Sequence, residues 1–419
     1  MKQLKTISIK KSHLLILTII ILLINQSCKQ EIAQWRGADR NGVYNETSIL
    51  DEWPESGPEL LWTAEGLGNG YAAPSVLNNK VFVIGEIDSM SYLFAYDLKG
   101  NLLWKTANGP EFMGEGFSST YPGARSTPTV IDNLAYITSG TGRIACIETS
   151  AGEEQWAVDL VKDFGGSENY FGYSESVVVD DNKVYCFAGG NKINIAAIDR
   201  LTGETIWTSE ALKDTFAYCS PITVELATRK VLITTSRHNL FAVDCENGET
   251  LGTYTLKGYE YDGEHCNSPL YADGFIYFIA NDEKGSGAVK LELLDDGETI
   301  KEVWSNKKIR NNFHGYIVAG DNLLTTVQGN WLKALDLNNG MVADSVKVTT
   351  GSIIVADNKL ICYGTNGDVN LINYDQNKFN ITGKFKVKEG TRHHFAYPVL
   401  DNGVMYIRHG DVLMAYNLK

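Results

Sequence analysis

Short apolar or alternating runs, broken by Asn, Asp and Gly, follow one another along most of the chain. Runs bounded by such turn residues predict β-strands, and no long segment shows the periodicity of an amphipathic helix. One phrase, an apolar strand, a turn and a second strand, can be counted eight times. Its copies read "APSVLNNKVFVIG", "TPTVIDNLAYITSG", "SVVVDDNKVYCFAGG", "SPITVELATRKVLITTS", "SPLYADGFIYFIA", "YIVAGDNLLTTVQG", "SIIVADNKLICYG" and "YPVLDNGVMYIRHG". The pattern predicts an all-β protein made of repeats.

A second phrase, most complete in "AIDRLTGETIW", follows most copies of the first. Its Asp can accept backbone N–H groups, and its Gly tolerates the positive φ of a tight turn, so it predicts a strand, a turn and a strand. The small residue that opens the phrase falls at Ala95, Cys146, Ala197 and Ala242, in steps of 51, 51 and 45 residues. Four-stranded units at this period are typical of propeller blades.

The eighth unit reaches Lys419 before its outermost strand, and a matching strand lies near the other end, in "GPELLWTAEG". An N-terminal strand that completes the last blade would remove an open sheet edge. Residues 58–419 shared among eight blades give about 45 residues each, within the range for blades. We therefore predict an eight-bladed β-propeller of four-stranded antiparallel blades, closed by an N-terminal strand; seven blades are the alternative.

Tryptophans recur with the blades at the end of the second phrase. A buried indole needs one hydrogen-bond partner, and truncating a buried Trp costs about 3 to 5 kcal/mol. We predict that these residues lie on outer strands and clamp each blade to its neighbour. They are Trp62, Trp104, Trp156, Trp207 and Trp304.

The beginning of the chain has a different pattern. Basic residues precede an apolar run of eleven residues, from Leu14 to Ile24, which is shorter than the roughly 20 residues that span a bilayer. This is the form of a secretory signal, and with Cys28 directly after it the stretch resembles a bacterial lipoprotein signal, whose cysteine becomes acylated. An uncleaved anchor, or an ordinary signal with a chance cysteine, are the alternatives. The predicted division is a signal peptide over 1–27, a lead and tether over 28–57, and a single propeller domain over 58–419.

Charge and cysteine content narrow the function. The formal net charge of −14 argues against nucleic acid as a partner, because nucleic acid requires clustered Lys and Arg. The six other cysteines show no CxxC pair or zinc spacing, which favours buried packing roles. No spacing typical of a Ser-His-Asp triad, a phosphate-binding loop or a paired-carboxylate site is present.

Residues just before the inner strands of a propeller should converge on one rim of its central channel. The chain places polar and aromatic side chains there: Tyr71, Arg125, Glu175, Tyr218, His265, His314 and His394. Such a ring could hold a small anion, a sugar or a peptide segment, or its members could bond one another and water to fill the channel. Two longer loops, 108–125 and 161–176, add aromatic residues suited to protein or sugar contact.

The phrase from Ala197 to Trp207 resembles the signature A-x-D-x-x-T-G-x-x-x-W of pyrroloquinoline-quinone (PQQ)-type repeat proteins at every fixed position. Further likeness lies in "QWRGADRNG", "YFGYSESVVV" and the final "YPVLDNGVMYIRHGDVLMAYNL". One branch of these proteins, the quinoprotein dehydrogenases, holds PQQ and calcium on the axis and uses a catalytic aspartate. The other, similar to BamB-type lipoproteins of outer-membrane protein assembly, keeps the repeats and binds no quinone.

The lipoprotein-like start and the compact length resemble the second branch. The resemblance implies a non-catalytic binding or scaffolding propeller without cofactor, lipid-anchored to the outer membrane and contacting another envelope protein or a polymer or glycan. One alternative is a PQQ- and calcium-dependent alcohol or sugar dehydrogenase, with Arg125, Glu175 and the rim histidines around the cofactor. A glycan-binding surface lipoprotein is the other.

Overall fold

The computed structural model describes residues 31–419, except residues 168, 213, 215–216, 257–264 and 281–286. The predicted signal peptide and Cys28 lie outside the described residues. No helix among the described residues is long and apolar enough to cross a membrane. Residues 32–419 form one compact unit, and the fold described below is that of this unit.

The described strands form eight antiparallel four-stranded blades, as predicted, and two blades gain a short fifth strand from the N-terminal segment. The strands that precede the first blade are β1 (Ile32–Ala33), β2 (Val43–Tyr44) and β3 (Glu59–Ala64). Blade 1 contains β4 (Ser75–Leu77), β5 (Lys80–Ile87), β6 (Met90–Asp97) and β7 (Leu102–Pro110), and blade 2 contains β8 (Thr129–Ile131), β9 (Leu134–Thr138), β10 (Arg143–Glu148) and β11 (Glu154–Asp159). Blade 3 contains β12 (Val178–Asp180), β13 (Lys183–Phe187), β14 (Ile193–Asp199) and β15 (Thr205–Glu210), and blade 4 contains β16 (Ile222–Glu225), β17 (Lys230–Thr235), β18 (Asn239–Asp244) and β19 (Thr250–Thr255). Blade 5 contains β20 (Leu270–Ala272), β21 (Phe275–Ile279), β22 (Ala288–Leu293) and β23 (Ile300–Asn306), and blade 6 contains β24 (Tyr316–Ala319), β25 (Asn322–Val327), β26 (Trp331–Asp336) and β27 (Val342–Lys347). Blade 7 contains β28 (Gly351–Ala356), β29 (Lys359–Gly364), β30 (Asp368–Asp375) and β31 (Lys378–Lys386), and blade 8 contains β32 (Val399–Asp401), β33 (Val404–His409) and β34 (Val412–Asn417).

The ring closes through the N-terminal strand, as the sequence predicts. Strand β3 pairs antiparallel with β34, and Trp62 stands opposite Ala415. Blade 8 therefore receives its outermost strand from the start of the propeller, which satisfies the backbone groups of β34 that would otherwise form an open edge. The eight-bladed prediction is confirmed, and the seven-bladed alternative is wrong.

The repeated phrase forms the seam between neighbouring blades. The carboxylate of Asp199 accepts hydrogen bonds from the backbone N–H groups of Leu201 and Thr202, both at 2.9 Å, and Gly203 follows with φ +77°. A Cβ on Gly203 would lie 2.9 Å from the indole of Trp156 in the preceding blade. Glycine is required there by the backbone conformation and by the indole that packs on it.

The same contact recurs around the ring. The other glycine and indole pairs are Gly100 with Trp62, Gly152 with Trp104, Gly248 with Trp207 and Gly340 with Trp304. Four indole N–H groups also donate to a backbone carbonyl of the next blade: Trp62 to Leu98, Trp156 to Arg200, Trp207 to Cys245 and Trp304 to Leu337. Each such tryptophan therefore packs on, and bonds to, the turn of the following blade.

Blade 2 departs from this pattern. Glu148 stands where the other turns have Asp, and the Nε1 of Trp104 has no hydrogen-bond partner in the described part of the chain. The carbonyl of Thr149, at the place that accepts an indole elsewhere, instead accepts from Lys80 Nζ at 2.9 Å.

Residues 32–44, within the predicted lead and tether, cross the hub. Strand β1 pairs antiparallel with the first strand of blade 2, and β2 pairs parallel with the first strand of blade 7. Between them lie Arg36 and Arg40, which are 1% and 4% exposed. The segment is thereby joined by backbone hydrogen bonds to two well-separated blades.

The regular helices described are short. Helix α1 (Leu160–Phe164) begins where Asp159 accepts from the N–H groups of Val161 and Lys162, and it ends at Gly165 with φ +64°. A 3-10 helix spans Gly116–Thr120. Five of the six cysteines described are buried and the sixth, Cys266, is half-buried; all are free thiols.

Candidate functional site

A cavity of about 380 Å³ opens at the hub, where the loops before the first strands converge. Seven of the eight blades and the N-terminal segment contribute to its wall. The lining residues are Trp35, Tyr71, Ala73, Phe117, Tyr121, Arg125, Thr127, Phe171, Ser174, Ser176, Tyr218, Ser220, Cys266, Asn312, Phe313, Phe395 and Tyr397.

The wall has a positional rule. In several blades the two residues that line the cavity are separated by one that does not, as in 71 and 73, 125 and 127, 174 and 176, 218 and 220, and 395 and 397. Successive side chains of an extended chain point to opposite sides. The approach to each first strand therefore presents alternate residues to the cavity.

This rule divides the seven residues predicted at the rim of the central channel into those that line the cavity and those that do not. Tyr71, Arg125 and Tyr218 line the cavity. The other four, Glu175, His265, His314 and His394, are absent from its wall and make contacts of their own within the protein. The predicted ring is thus brought together only in part.

Arg125 is the one charged side chain among the lining residues. Its Nη1 donates to the carbonyl of Gly123 at 2.7 Å and its Nη2 to that of Tyr121. The guanidinium lies over the ring of Phe112, 4.7 Å from the centroid. Burial lowers the pKa of Arg125, and no described carboxylate forms an ion pair with it.

Two hydroxyl groups on the wall have no hydrogen-bond partner within the described residues, Tyr71 OH and Thr127 Oγ1. Thr127 is 2% exposed. A buried hydroxyl without a partner costs about 1 to 3 kcal/mol. Both oxygens are buried and belong to residues that line the cavity.

Aromatic rings form most of the remaining wall and its surroundings. The ring of Tyr121 stacks on His393 at 5.0 Å, and His393 stacks on Phe395 at 4.8 Å. Phe395 meets Phe313 edge to face at 4.6 Å. At the mouth Phe117 is 62% exposed. The predicted aromatic loops thus supply part of this surface, and the loops before blades 6 and 8 supply the rest.

Glu175 lies behind the wall. One carboxyl oxygen accepts from the N–H of Phe187 at 3.0 Å, and burial raises its pKa to about 8, against an opposing effect of Arg40. The Arg40 guanidinium donates to the carbonyls of Ser176 at 2.6 Å and Val177 at 3.1 Å. This cluster ties the N-terminal segment to blade 3.

The three predicted histidines, His265, His314 and His394, are enclosed by other parts of the protein and do not line the cavity. His265 is 2% exposed, with Nε2 3.1 Å from the carbonyl of Arg237. Burial lowers the pKa of His314 to about 3. The Nδ1 of His394 lies 2.6 Å from Tyr363 OH, and its ring stacks on His409 at 3.6 Å. Burial lowers the pKa of His394 to about 4.

Several wall and hub residues were not predicted. Trp35, Arg36 and Arg40 belong to "QWRGADRNG", which sequence likeness alone singled out. Two arginines beside glycines in an otherwise acidic chain were the available signal, but no local pattern places them on the axis. Phe395 and Tyr397 stand at the alternate positions that this rule identifies, whereas Phe313 lines the cavity beside its direct neighbour Asn312.

The lining does not fit a calcium-held quinone. Calcium takes about six to eight oxygen ligands, mostly carboxylates and carbonyls, and the described residues of the cavity wall include no Asp or Glu. Across the described residues, no group of three His, Cys, Asp or Glu side chains could hold a metal ion.

Comparison with known protein families gives a match to the one described as "Outer membrane protein assembly factor BamB", over residues 89–346. An outer membrane protein assembly factor BamB from Shewanella oneidensis is 21% identical over 328 residues, covering 72% of this chain and 70% of that protein. Another, from Kangiella koreensis, is 29% identical over 120 residues. That second match spans 28% of this chain and 27% of the relative.

Solved structures share the fold. BamB from Moraxella catarrhalis has a TM-score of 0.59 at 14% identity, covering 86% of this chain and 98% of that one. A quinohemoprotein alcohol dehydrogenase, ADHIIG, from Pseudomonas putida HK5 has a TM-score of 0.56 at 14% identity, with 93% and 80% covered. At such identities the likeness shows a common propeller and does not separate binding from redox roles. The family match extends over more than half of the sequence, and on that basis the chain belongs to the family described as outer membrane protein assembly factor BamB.

Proposed function

We propose that this protein is a non-catalytic binding propeller of the bacterial cell envelope that contacts another envelope protein during outer-membrane protein assembly. The family match over residues 89–346 carries the proposal. The hub is consistent with it, because the described residues of the cavity wall offer aromatic rings, hydroxyls and one guanidinium but no carboxylate that could act as a base.

The contact surface proposed for the partner is the mouth of the cavity. Phe117 and Tyr170 are 62% and 54% exposed there. Phe117 packs edge to face against Tyr121 at 5.5 Å, and Tyr170 against Phe171 at 4.9 Å. Exposed aromatic side chains held by neighbours are typical anchors of protein interfaces, since they bury much area at little entropic cost.

Lipid attachment at Cys28 is part of the proposal. It is supported by the lipoprotein-like start of the sequence. Replacement of Cys28 by Ser should move the protein from the membrane fraction to the soluble fraction, because the protein then lacks the acyl chains that provide its membrane affinity. A variant that stays in the membrane fraction contradicts the anchor without contradicting the binding role.

The binding role is tested by affinity capture from detergent-solubilised envelopes, with partners identified by mass spectrometry. The wild type should recover an outer-membrane assembly protein, and Phe117→Asp should lose it. Leu201→Asp is the matched control, because Leu201 is 61% exposed on a turn at the rim. Equal recovery by both variants places the contact elsewhere.

A different outcome would overturn the proposed function itself. If no envelope protein is recovered, and purified protein supplied with PQQ and calcium reduces a dye in the presence of an alcohol or sugar, the dehydrogenase alternative is correct. Specific retention of an oligosaccharide on a glycan array, again without a protein partner, would favour the glycan-binding alternative.

A further inference from the structure

The hub combines one cation with an apolar wall, inside a chain of formal net charge −14. Among the described residues that line the cavity, Arg125 is the one that carries a charge. A buried charge without a partner is costly unless an opposite charge or good hydrogen bonds compensate it. Two of the five N–H donors of the guanidinium bond to backbone carbonyls, so further donors remain for a ligand.

The nearby carboxyl groups do not neutralise this cation. Glu111 acts on Arg125 only from beyond ion-pairing distance. One of its oxygens accepts from the N–H groups of Phe112, at 2.8 Å, and Gly140, and burial raises its pKa. Glu175 bonds to the N–H of Phe187 instead. Within the described chain, the positive charge of Arg125 faces the cavity without a paired anion.

The unpartnered hydroxyls stand on the same wall. The guanidinium carbon of Arg125 lies 5.9 Å from the centroid of the Tyr71 ring, within cation–π range, and Thr127 follows Arg125 at the next position that lines the cavity. A guanidinium with hydroxyl donors beside it matches the two oxygens of a carboxylate.

Size and charge restrict the ligand further. A cavity of about 380 Å³ is at the lower end of the roughly 300 to 1,000 Å³ range of small-ligand sites. One cation favours a ligand with one negative charge, since a phosphate dianion would leave excess charge unpaired. The rings of Tyr121, Phe171 and Phe395 offer faces and edges to an apolar body.

We infer that the hub cavity binds a single carboxylate carried on a small aromatic or apolar body, with Arg125 and the hydroxyls of Tyr71 and Thr127 as its partners. This rests on the proposed binding function and deepens it by naming the chemistry that the cavity recognises. Such a carboxylate can belong to a free organic acid or to the C-terminal residue of a polypeptide, and the same contacts serve both.

The test uses the folded protein and two probes that differ in one group, N-acetylphenylalanine and its uncharged amide, in calorimetric titrations. The acid should bind about tenfold or more tightly than the amide, since a charge-assisted pair to a guanidinium is lost with the amide. Arg125→Met should lower the affinity for the acid by about tenfold or more and leave that for the amide unchanged. Arg229→Met, which removes a guanidinium paired with Asp244 away from the cavity, should match the wild type.

A second variant protects the test if Arg125→Met fails to fold by circular dichroism. Tyr71→Phe removes only one hydroxyl and should weaken acid binding about three- to tenfold, with the amide unaffected. Equal affinities for acid and amide, no measurable binding of either probe, or acid binding unchanged in the variants would each overturn the inference.

The source of the carboxylate is resolved by a third probe, the tripeptide Gly-Gly-Phe with a free C-terminus. Tighter binding than N-acetylphenylalanine assigns the site to a polypeptide terminus, and weaker binding assigns it to a free acid; both outcomes support carboxylate recognition. The proposed function has a separate readout in envelope capture. Capture can therefore fail while acid-selective binding holds, and the two failures are distinguishable.

Discussion

The outer rim of this propeller, where the seams between blades lie, and its central hub are built from the same blades but by different rules. At the rim, each seam repeats one device, an indole that packs on the glycine of the next turn. At the hub, neighbouring blades contribute different residues, and the N-terminal segment adds two buried arginines. Repetition therefore serves packing, and the chemical character of the protein lies where the repeats diverge.

The two regions also differ in how well their polar groups are paired. Four of the five seam indoles donate a hydrogen bond to the adjacent blade. In the hub, Tyr71 OH, Thr127 Oγ1, one oxygen of Glu175 and two nitrogens of Arg36 have no partner among the described residues. Each unpaired buried group lowers stability by about 1 to 3 kcal/mol. The outer rim stabilises the ring, and of the unpaired hub groups named here those of Tyr71 and Thr127 belong to residues of the cavity wall.

The strongest test of the rim truncates a seam indole. Trp207→Ala removes a side chain that is 9% exposed, together with its contact to Gly248, and should lower the free energy of unfolding by about 3 to 5 kcal/mol. Trp331→Ala is the control, because Trp331 is half-buried under Lys347 and lies outside the seams. Denaturant unfolding measures both. Equal losses would contradict a special role for the seams.

The difference between rim and hub also explains what the sequence could predict. The seam is local in sequence: Asp199, Gly203 and Trp207 lie within nine residues, so their spacing discloses the turn, the blade and finally the closed ring. The closing strand was predictable because Trp62 occupies the place of the missing member of that set. A short periodic signal was enough to predict the fold.

The hub could be predicted only in part, because a shift of one residue reverses the direction of a side chain. Arg125 stands at a position that faces the cavity, whereas Glu175 stands between Ser174 and Ser176, which both face it. His314 follows the lining residues Asn312 and Phe313 and does not itself line the cavity. Choosing residues by chemical type just before each strand therefore mixed the two sides. The crossing of the hub by residues 32–44 depends on long-range pairing with blades 2 and 7, for which the sequence has no local signal.

A hub variant tests whether this N-terminal crossing contributes to stability. Arg40→Met removes hydrogen bonds to Ser176, Val177 and Gln34 and should lower the free energy of unfolding by about 3 kcal/mol, because three acceptors lose a charged donor. Hydrogen exchange should rise in residues 32–44. Arg229→Met, which breaks a partly exposed ion pair, should cost less than about 1 kcal/mol. A neutral Arg40→Met would show that the crossing segment is held by its strands alone.

The hub should give stability a pH dependence between about pH 5 and pH 8, whereas the lowered pKa of the turn carboxylate of Asp199 at the outer rim acts at lower pH. Burial raises the pKa of Glu175 from 4.5 to about 8, so between these values the folded state holds a proton that the unfolded state has released. The contribution of Glu175 to the free energy of unfolding is fully present below about pH 4.5 and is lost as the pH rises through about 8. Glu175→Gln, which imitates the protonated form, should remove this slope and leave the variant roughly 3 kcal/mol less sensitive to the change from pH 5 to pH 8. Parallel slopes in wild type and variant would contradict a protonated Glu175.

The smallest effect expected separates two seams that look alike in the sequence. Trp207→Phe keeps an aromatic ring against Gly248 but loses the hydrogen bond from the indole to the carbonyl of Cys245, at 3.2 Å. Trp104→Phe makes the same change in ring size where the indole nitrogen has no partner among the described residues.

The loss of ring area is common to both substitutions, so the difference between them isolates the hydrogen bond. We expect Trp207→Phe to lower the free energy of unfolding by about 1 kcal/mol more than Trp104→Phe, the usual net value of one buried hydrogen bond. If the two single variants lose the same stability, the seams are held by ring packing on glycine, and the hydrogen bond adds nothing measurable.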